Sequence, residues 1–250
     1  MNDQIPETKV LTEEEQIQQL LEHLPAEADI SVTVPSLGLP YFGKEGTIQI
    51  RPMTFDDEKT LTTGVRTPQF NAANFLLERC VLNVKTPHLL LMDKLFLLLK
   101  IREISYGNDY KIKVGCSKCQ FENELNLLLD QLRCVFVDKD MNFADRTVFL
   151  EGLKKEATVS VLTVSDEDIL QRGDIYSNLY RFIKTLDSID NPGIIQKVIS
   201  KLPIADIHCL MNALTLSDYG IQPQVRYVCD ACNHSNLISL PIDENFFSVN

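Results

Sequence analysis

Apolar and polar positions alternate in short stretches along the first half of the chain, and each stretch predicts an element. Thr12-Glu-Glu-Glu15 has the form of a capping box, in which a Thr hydroxyl and the Glu three residues on satisfy each other's backbone N–H groups. The helix it opens is expected to reach about Leu24, before Pro25, with Ile17, Leu20, Leu21 and Leu24 on one stripe. Residues 30–34 and 47–51 alternate and predict a hairpin with a long, turn-rich loop over 35–43. Thr54 is the expected N-cap of a short helix whose acidic first turn suits the helix dipole. Thr67-Pro68 and Thr86-Pro87 have the form of helix starts and predict helices over about 69–83 and 88–104. The second is apolar almost all round, so it is expected to be the best-buried helix of this half. Its most apolar run, 89–99, is broken by Asp93 and Lys94 and is too short to cross a bilayer; a surface for another protein is the alternative to burial. Ser105-Tyr106-Gly107-Asn108 predicts its stop.

The second half carries weaker signals. Residues 123–140 fit strand or helix, while 147–150 and 157–164 alternate as strands. Ser165-Asp-Glu-Asp168 predicts a helix start, with the helix running to about Leu186 on the stripe Ile169, Ile175, Leu179, Phe182, Ile183 and Leu186, interrupted at Arg172-Gly173. Asn191-Pro-Gly193 predicts a turn, followed by helices over about 193–202 and 204–216. Phe246 and Phe247 in the tail are expected to pack loosely or onto a partner.

Two remote stretches share one plan. Each has an alternating run, a Cys-x-x-Cys turn and a second alternating run: Cys116 and Cys119 in one, Cys229 and Cys232 in the other. This is the form of a zinc knuckle on a β-hairpin, and two knuckles supply the four thiolates of a closed tetrahedral site. Two intervening residues let both sulfurs of a tight turn face one ion, with backbone N–H groups directed at the thiolates. The reading is one structural Zn²⁺ bound by Cys116, Cys119, Cys229 and Cys232, clasping the chain across the 109 residues between Cys119 and Cys229. The alternatives are a disulfide within each pair, a redox motif, two separate two-thiol sites, or a site completed by His234; spacing alone does not exclude iron. Metal loss is expected to unseat the intervening segment from the first half. Cys80, Cys134 and Cys209 stand among apolar neighbours and read as inert buried thiols.

Composition narrows the function classes. The 250 residues are 44% hydrophobic with a formal net charge of −11, enough apolar content for a core and a charge that repels phosphate backbones. Seven cysteines are too few for a disulfide scaffold, and the acidic, polar beginning of the chain is no targeting segment; together these predict a reducing cytoplasm. No Gly-rich phosphate loop, Gly-x-Ser-x-Gly or His-Glu-x-x-His is present, and His23, His88, His208 and His234 are scattered, so no catalytic set is assigned. Lys111, Lys113, Lys118 and Arg226 flank the knuckles and could touch phosphate, but Glu122, Glu124 and Asp230 share the same hairpins and no aromatic platform accompanies them.

The order of the pieces resembles a known family. Val34-Pro-Ser-Leu-Gly-Leu-Pro-Tyr41, Ile50-Arg-Pro-Met53 with Glu58, and Ile101-Arg-Glu-Ile-Ser-Tyr-Gly107 running into Cys-x-x-Cys resemble the baseplate-hub proteins of T4-type contractile-tailed phages. Leu202-Pro-Ile-Ala-Asp206, Tyr219-Gly-Ile and the second Cys-x-x-Cys fit the same pattern, so the resemblance covers most of 30–240. Such knuckles often carry Gly after the second Cys, where this chain has Gln120 and Asn233. The resemblance implies a late, non-enzymatic hub assembly factor or hub subunit, with other baseplate hub proteins as partners, in the host cytoplasm during tail assembly or in the virion. No membrane, nucleic-acid or small-molecule partner is expected; a zinc-ribbon nucleic-acid-binding accessory protein is the alternative. The expected fold is α+β: a leader and helix over 1–29, an N-terminal region of hairpin and helices over 30–108, a split Cys₄ zinc ribbon over 109–241 with a helical insertion at about 140–222, and a tail over 242–250.

Overall fold

The computed structural model describes residues 12–21, 30–64, 71–143, 146–167, 169, 175–240 and 244–247. Helix α1, Glu13–Leu21, begins with the expected capping box: the Thr12 N–H donates to Glu15 Oε2 at 2.8 Å and the Glu15 N–H to Thr12 Oγ1 at 3.2 Å. Ile17 and Leu20 of its stripe are not buried, at 56% and 79% exposed, while Leu24 lies outside the described residues. Strands β1, Ile30–Val32, and β2, Ile48–Ile50, form the expected hairpin with Ile30 opposite Ile50. Its loop folds into one helical turn, α2, Leu39–Phe42, between Gly38 and Gly43, both left-handed. A Cβ on Gly38 would lie 2.6 Å from the Gly46 carbonyl oxygen, so only glycine fits there.

Helix α3, Phe55–Gly64, starts after Thr54, and α4, Ala72–Cys80, starts after Asn71, whose side chain accepts the Asn74 N–H. The second start is later than its sequence suggests, and Thr67 and Pro68 lie outside the described residues. Thr86-Pro87 opens only a 3₁₀ turn, Thr86–His88; the long helix α5, Leu91–Tyr106, begins afterwards. Tertiary bonding explains the break: the Leu91 N–H donates to Leu162 O and the Val164 N–H to Leu89 O, which holds 89–90 extended against the later chain. α5 ends at Gly107, with φ 92°. Leu97 and Ile101 of α5 pack with Ile48, Ile50, Leu76, Leu77 and Leu89 in a first core, as its apolar circumference predicts.

Asp93, which interrupts the apolar run in sequence, is a buried anchor for the α2 loop. Its carboxylate accepts the Ser36 N–H at 3.0 Å and the Tyr41 hydroxyl, and the Tyr41 oxygen accepts the Leu90 N–H at 2.9 Å. Burial raises the Asp93 carboxyl above the usual range, against the lowering by these hydrogen bonds.

Strands β3, Asp109–Gly115, and β4, Glu122–Leu128, form the first knuckle hairpin. Between it and the second lies an insertion, rooted where β5, Cys134–Val135, pairs with β9, Gly220–Ile221. The insertion holds a three-stranded antiparallel sheet, β6 (Arg146–Leu150), β7 (Lys155–Val159) and β8 (Ile183–Leu186), as well as the helices Pro192–Ile199 and Ile204–Thr215. The helix expected to run to Leu186 stops short of it: among the described residues Ile175–Asn178 is α-helical, Leu179–Phe182 is a 3₁₀ turn and Ile183–Leu186 is a strand. The Thr163/Asp166 capping box closes a 3₁₀ turn, Val164–Asp166, and 183–186 pairs along the edge of β7. Ile183 and Leu186 still face inward, joining Leu150, Val159, Leu179, Ile195, Leu210 and Leu214 in a second core. Asn191 caps the helix Pro192–Ile199 rather than merely turning: its side chain accepts the N–H groups of Gly193 and Ile194, with Pro192 at the first helical position.

Strands β10, Gln224–Val228, and β11, Ser235–Ser239, complete the ribbon. Phe246 and Phe247 are not loosely packed. Phe246 is fully buried, its ring 4.9 Å from that of Tyr110, and the Arg102 Nε donates to the Phe246 carbonyl at 2.8 Å. The architecture is α+β, with a ribbon split by an insertion that carries a sheet as well as helices.

Candidate metal centre

Both knuckles are built by the same backbone bonds. In the first, the Cys116 N–H donates to Phe121 O at 2.9 Å and the Gln120 N–H to Cys116 O at 2.9 Å. In the second, the Cys229 N–H donates to His234 O at 2.9 Å and the Asn233 N–H to Cys229 O at 2.9 Å. Each turn closes through a left-handed residue after its second cysteine, Gln120 at φ 59° and Asn233 at φ 54°. These are the positions where similar knuckles carry glycine; the two chain-closing bonds hold Gln and Asn there.

The structure brings the four sulfurs of Cys116, Cys119, Cys229 and Cys232 within 4.8 Å of one another. Cys116 Sγ is 3.7 Å from Cys232 Sγ, and Cys119 Sγ is 3.6 Å from Cys229 Sγ. Zn–S bonds of about 2.3 Å in a tetrahedron set sulfurs about 3.8 Å apart, so the observed spacing fits that ion. The residues are free thiols, which leaves both intra-knuckle disulfides unformed. The close pairs join one knuckle to the other, as a single shared site requires and two separate two-thiol sites do not. His234 is engaged through its backbone carbonyl. Tyr227 adds a further tie, its hydroxyl donating to Gly115 O at 3.0 Å.

The four thiols are not equivalent. Cys116 and Cys229 are buried, Cys119 is exposed and Cys232 half-buried. Burial raises the Cys116 thiol, but hydrogen bonds from the backbone at Cys119 and Lys118 and from Asn236 outweigh it and bring it down to about 6. Cys229 is lowered by the same balance, burial against the N–H groups of Cys232 and Ala231 and the Cys119 thiol. Cys119 is lowered by the Phe121 N–H, yet Cys232, burial, Cys229 and Cys116 together push it up to about 12. The thiols of Cys116 and Cys229 are thus lowered toward the thiolate form, while Cys119 keeps a proton that a cation would displace. Sequence reasoning missed two residues of this site, Asn123 and Asn236, which are buried on the strands leaving the knuckles. Their signal was available: each stands four positions after a second cysteine.

Residues 27–150 match the family model described as T4 bacteriophage base plate protein. Over this span the chain is similar to T4-type baseplate proteins. No curated protein and no solved structure matches it. The baseplate segment contains β1 to β6, the α2 loop, α5 and the first knuckle; the second knuckle follows it in the chain. A protein of this kind functions among other baseplate components. No described helix is long and apolar enough to cross a membrane.

Proposed function

We propose that this baseplate protein is a non-enzymatic hub assembly factor or hub subunit, held in shape by one structural zinc on Cys116, Cys119, Cys229 and Cys232. The observation that supports it most is the sulfur cluster: a knuckle inside the baseplate segment is completed by one far outside it. Four thiolates fill a tetrahedral ion and leave no position for water or substrate, which suits a scaffold and not a catalyst. The surfaces offered to hub partners are the exposed Ile17 and Leu20 of α1 and the α2 loop, presented in the host cytoplasm while the tail is built. The nucleic-acid alternative loses part of its basic patch, because Lys113 lies 3.6 Å from Glu122.

Two measurements on the full chain test the proposal. Elemental analysis of the protein as purified under reducing conditions should find one zinc per chain, and a protein that carries no bound metal would reject the clasp. Ile17→Asp with Leu20→Asp should abolish co-purification with co-expressed hub proteins while the melting temperature stays that of the parent. Undiminished co-purification would reject α1 as the partner surface.

A further inference from the structure

The likeness of the two knuckles extends past their cysteines. Each reads Cys-x-x-Cys-x-x-x-Asn, with Cys116, Cys119 and Asn123 matched by Cys229, Cys232 and Asn236. Asn123 is 1% and Asn236 6% exposed. A primary amide facing inward from a strand is costly unless its groups are bonded. Both amides are bonded, and in the same way.

Within its own knuckle, Asn123 Nδ2 donates to Phe121 O and Asn236 Nδ2 to His234 O, each at 2.9 Å. Across the site, Asn123 Oδ1 accepts the Asp230 N–H at 2.9 Å, and Asn236 Oδ1 accepts the Ser117 N–H at 3.0 Å and the Ser117 hydroxyl at 2.8 Å. Asp230 and Ser117 are the residues that follow the first cysteine of each knuckle. The amide nitrogen also reaches the sulfur beside them: Asn123 Nδ2 is 3.7 Å from Cys229 Sγ, and Asn236 Nδ2 is 3.6 Å from Cys116 Sγ.

We propose that Asn123 and Asn236 are reciprocal positioning residues of the metal centre, each carried by one knuckle and fixing the first cysteine of the other. The inference rests on the reading of the four cysteines as ligands of one ion. Its content is more specific than that reading. The oxygen of each amide holds the opposite turn by its backbone, and the nitrogen presents an N–H to the opposite sulfur. Donors of this kind spread thiolate charge and fix the direction of its lone pairs. Neither first cysteine is fully held until the other hairpin has docked, so docking of the hairpins and capture of the ion become one event. An apolar residue at either position could fill the space but would leave the Asp230 or Ser117 N–H without its acceptor.

Asn→Asp separates the two roles, because it keeps an oxygen for the opposite N–H and replaces the nitrogen facing the sulfur with a second oxygen. The full-length protein and its Asn123→Asp and Asn236→Asp variants would be titrated with Co²⁺ under reducing conditions, reading the thiolate-to-cobalt charge-transfer bands. Zinc affinity would then be measured by competition with a chelator. Each variant should lose about 10- to 100-fold in zinc affinity, the usual effect of removing an outer hydrogen bond to a ligand. The two losses should be similar, as the paired geometry requires, and the cobalt bands should shift. Asn123→Ala and Asn236→Ala repeat the titration without a new charge, so a collapse of the Asp variants alone does not decide the result. Parent-like affinity and bands in the variants, even with a lower melting temperature, would make these asparagines packing residues and overturn the inference. A parent protein that shows no thiolate-to-cobalt bands would instead overturn the metal-site reading, and this inference with it.

Discussion

Asp57 illustrates how far a single side chain can be read from its neighbours in sequence. Thr54 was legible as an N-cap and the acids after it as a favourable first turn, and the bonds are there: the Asp57 N–H donates to Thr54 Oγ1 at 3.4 Å and the Thr54 N–H to Asp57 Oδ2 at 2.9 Å. What no local pattern could show is that Asp57 is fully buried, with Arg51 at 2.8 Å and Arg79 at 2.9 Å on its two oxygens. Burial raises its carboxyl, and the Arg51, Thr54 and Arg79 bonds outweigh that and hold it well below the ordinary range. A carboxyl lowered on folding contributes its stability above the unfolded value, near pH 4, and loses it as pH falls further. Asp57→Asn should therefore cost about 3 kcal/mol at pH 7, since it removes the buried carboxylate charge to which Arg51 and Arg79 are bonded. Urea denaturation at pH 7 and pH 3 should show the gap between variant and parent shrinking on acidification. A constant gap would mean that the ion pair is not its source.

The elements best read from sequence are those whose signal is local. The β1–β2 hairpin and the two knuckle hairpins stand where their patterns put them, and the apolar α5 does so apart from its later start. The failures share a cause: pairing with distant chain overrode local spacing. Residues 183–186 have apolar positions compatible with a helix, yet β7 offers an open edge and they join it as β8. The tail likewise gave no sign that Phe246 would fill the first core, because its receptor is Arg102 and Tyr110, more than a hundred residues earlier. The guanidinium lies 4.7 Å from the Tyr110 ring centroid and 5.3 Å from that of Phe246, so the tail closes a stack that α5 and β3 begin. Phe246→Ala should cost about 3–5 kcal/mol, as for other large-to-small changes in a packed core. Chemical denaturation measures the loss, and limited proteolysis should show faster cleavage near the chain end; a change below about 1 kcal/mol would show that the site collapses around the gap.

For the molecule as a whole, the question is what the clasp holds. A tie across the residues between Cys119 and Cys229 removes several kcal/mol of unfolded-chain entropy, by analogy with a disulfide closing a loop of about 100 residues. From sequence, that predicts an insertion set adrift when the metal leaves. The structure argues for a narrower effect, because the insertion has its own core and is rooted on α5 by contacts remote from the sulfurs. These are the β5–β9 pair, the backbone bonds of Leu89 and Leu91 to Val164 and Leu162, and the Lys94–Glu167 ion pair at 2.6 Å. Among the described residues the hairpin tips have no comparable second support: across the site they meet through the sulfurs, the two asparagines and Tyr227. Chelation of the metal, or Cys229→Ser, should therefore part the knuckles and leave both cores standing. Hydrogen exchange with and without chelator locates the change. Amides of Cys116, Gln120, Cys229 and Asn233 should lose protection at least tenfold, while those in the helix Ile204–Thr215 and in α5 keep theirs. Loss of protection in that helix as well would return the clasp to the larger role that its position in the sequence suggests.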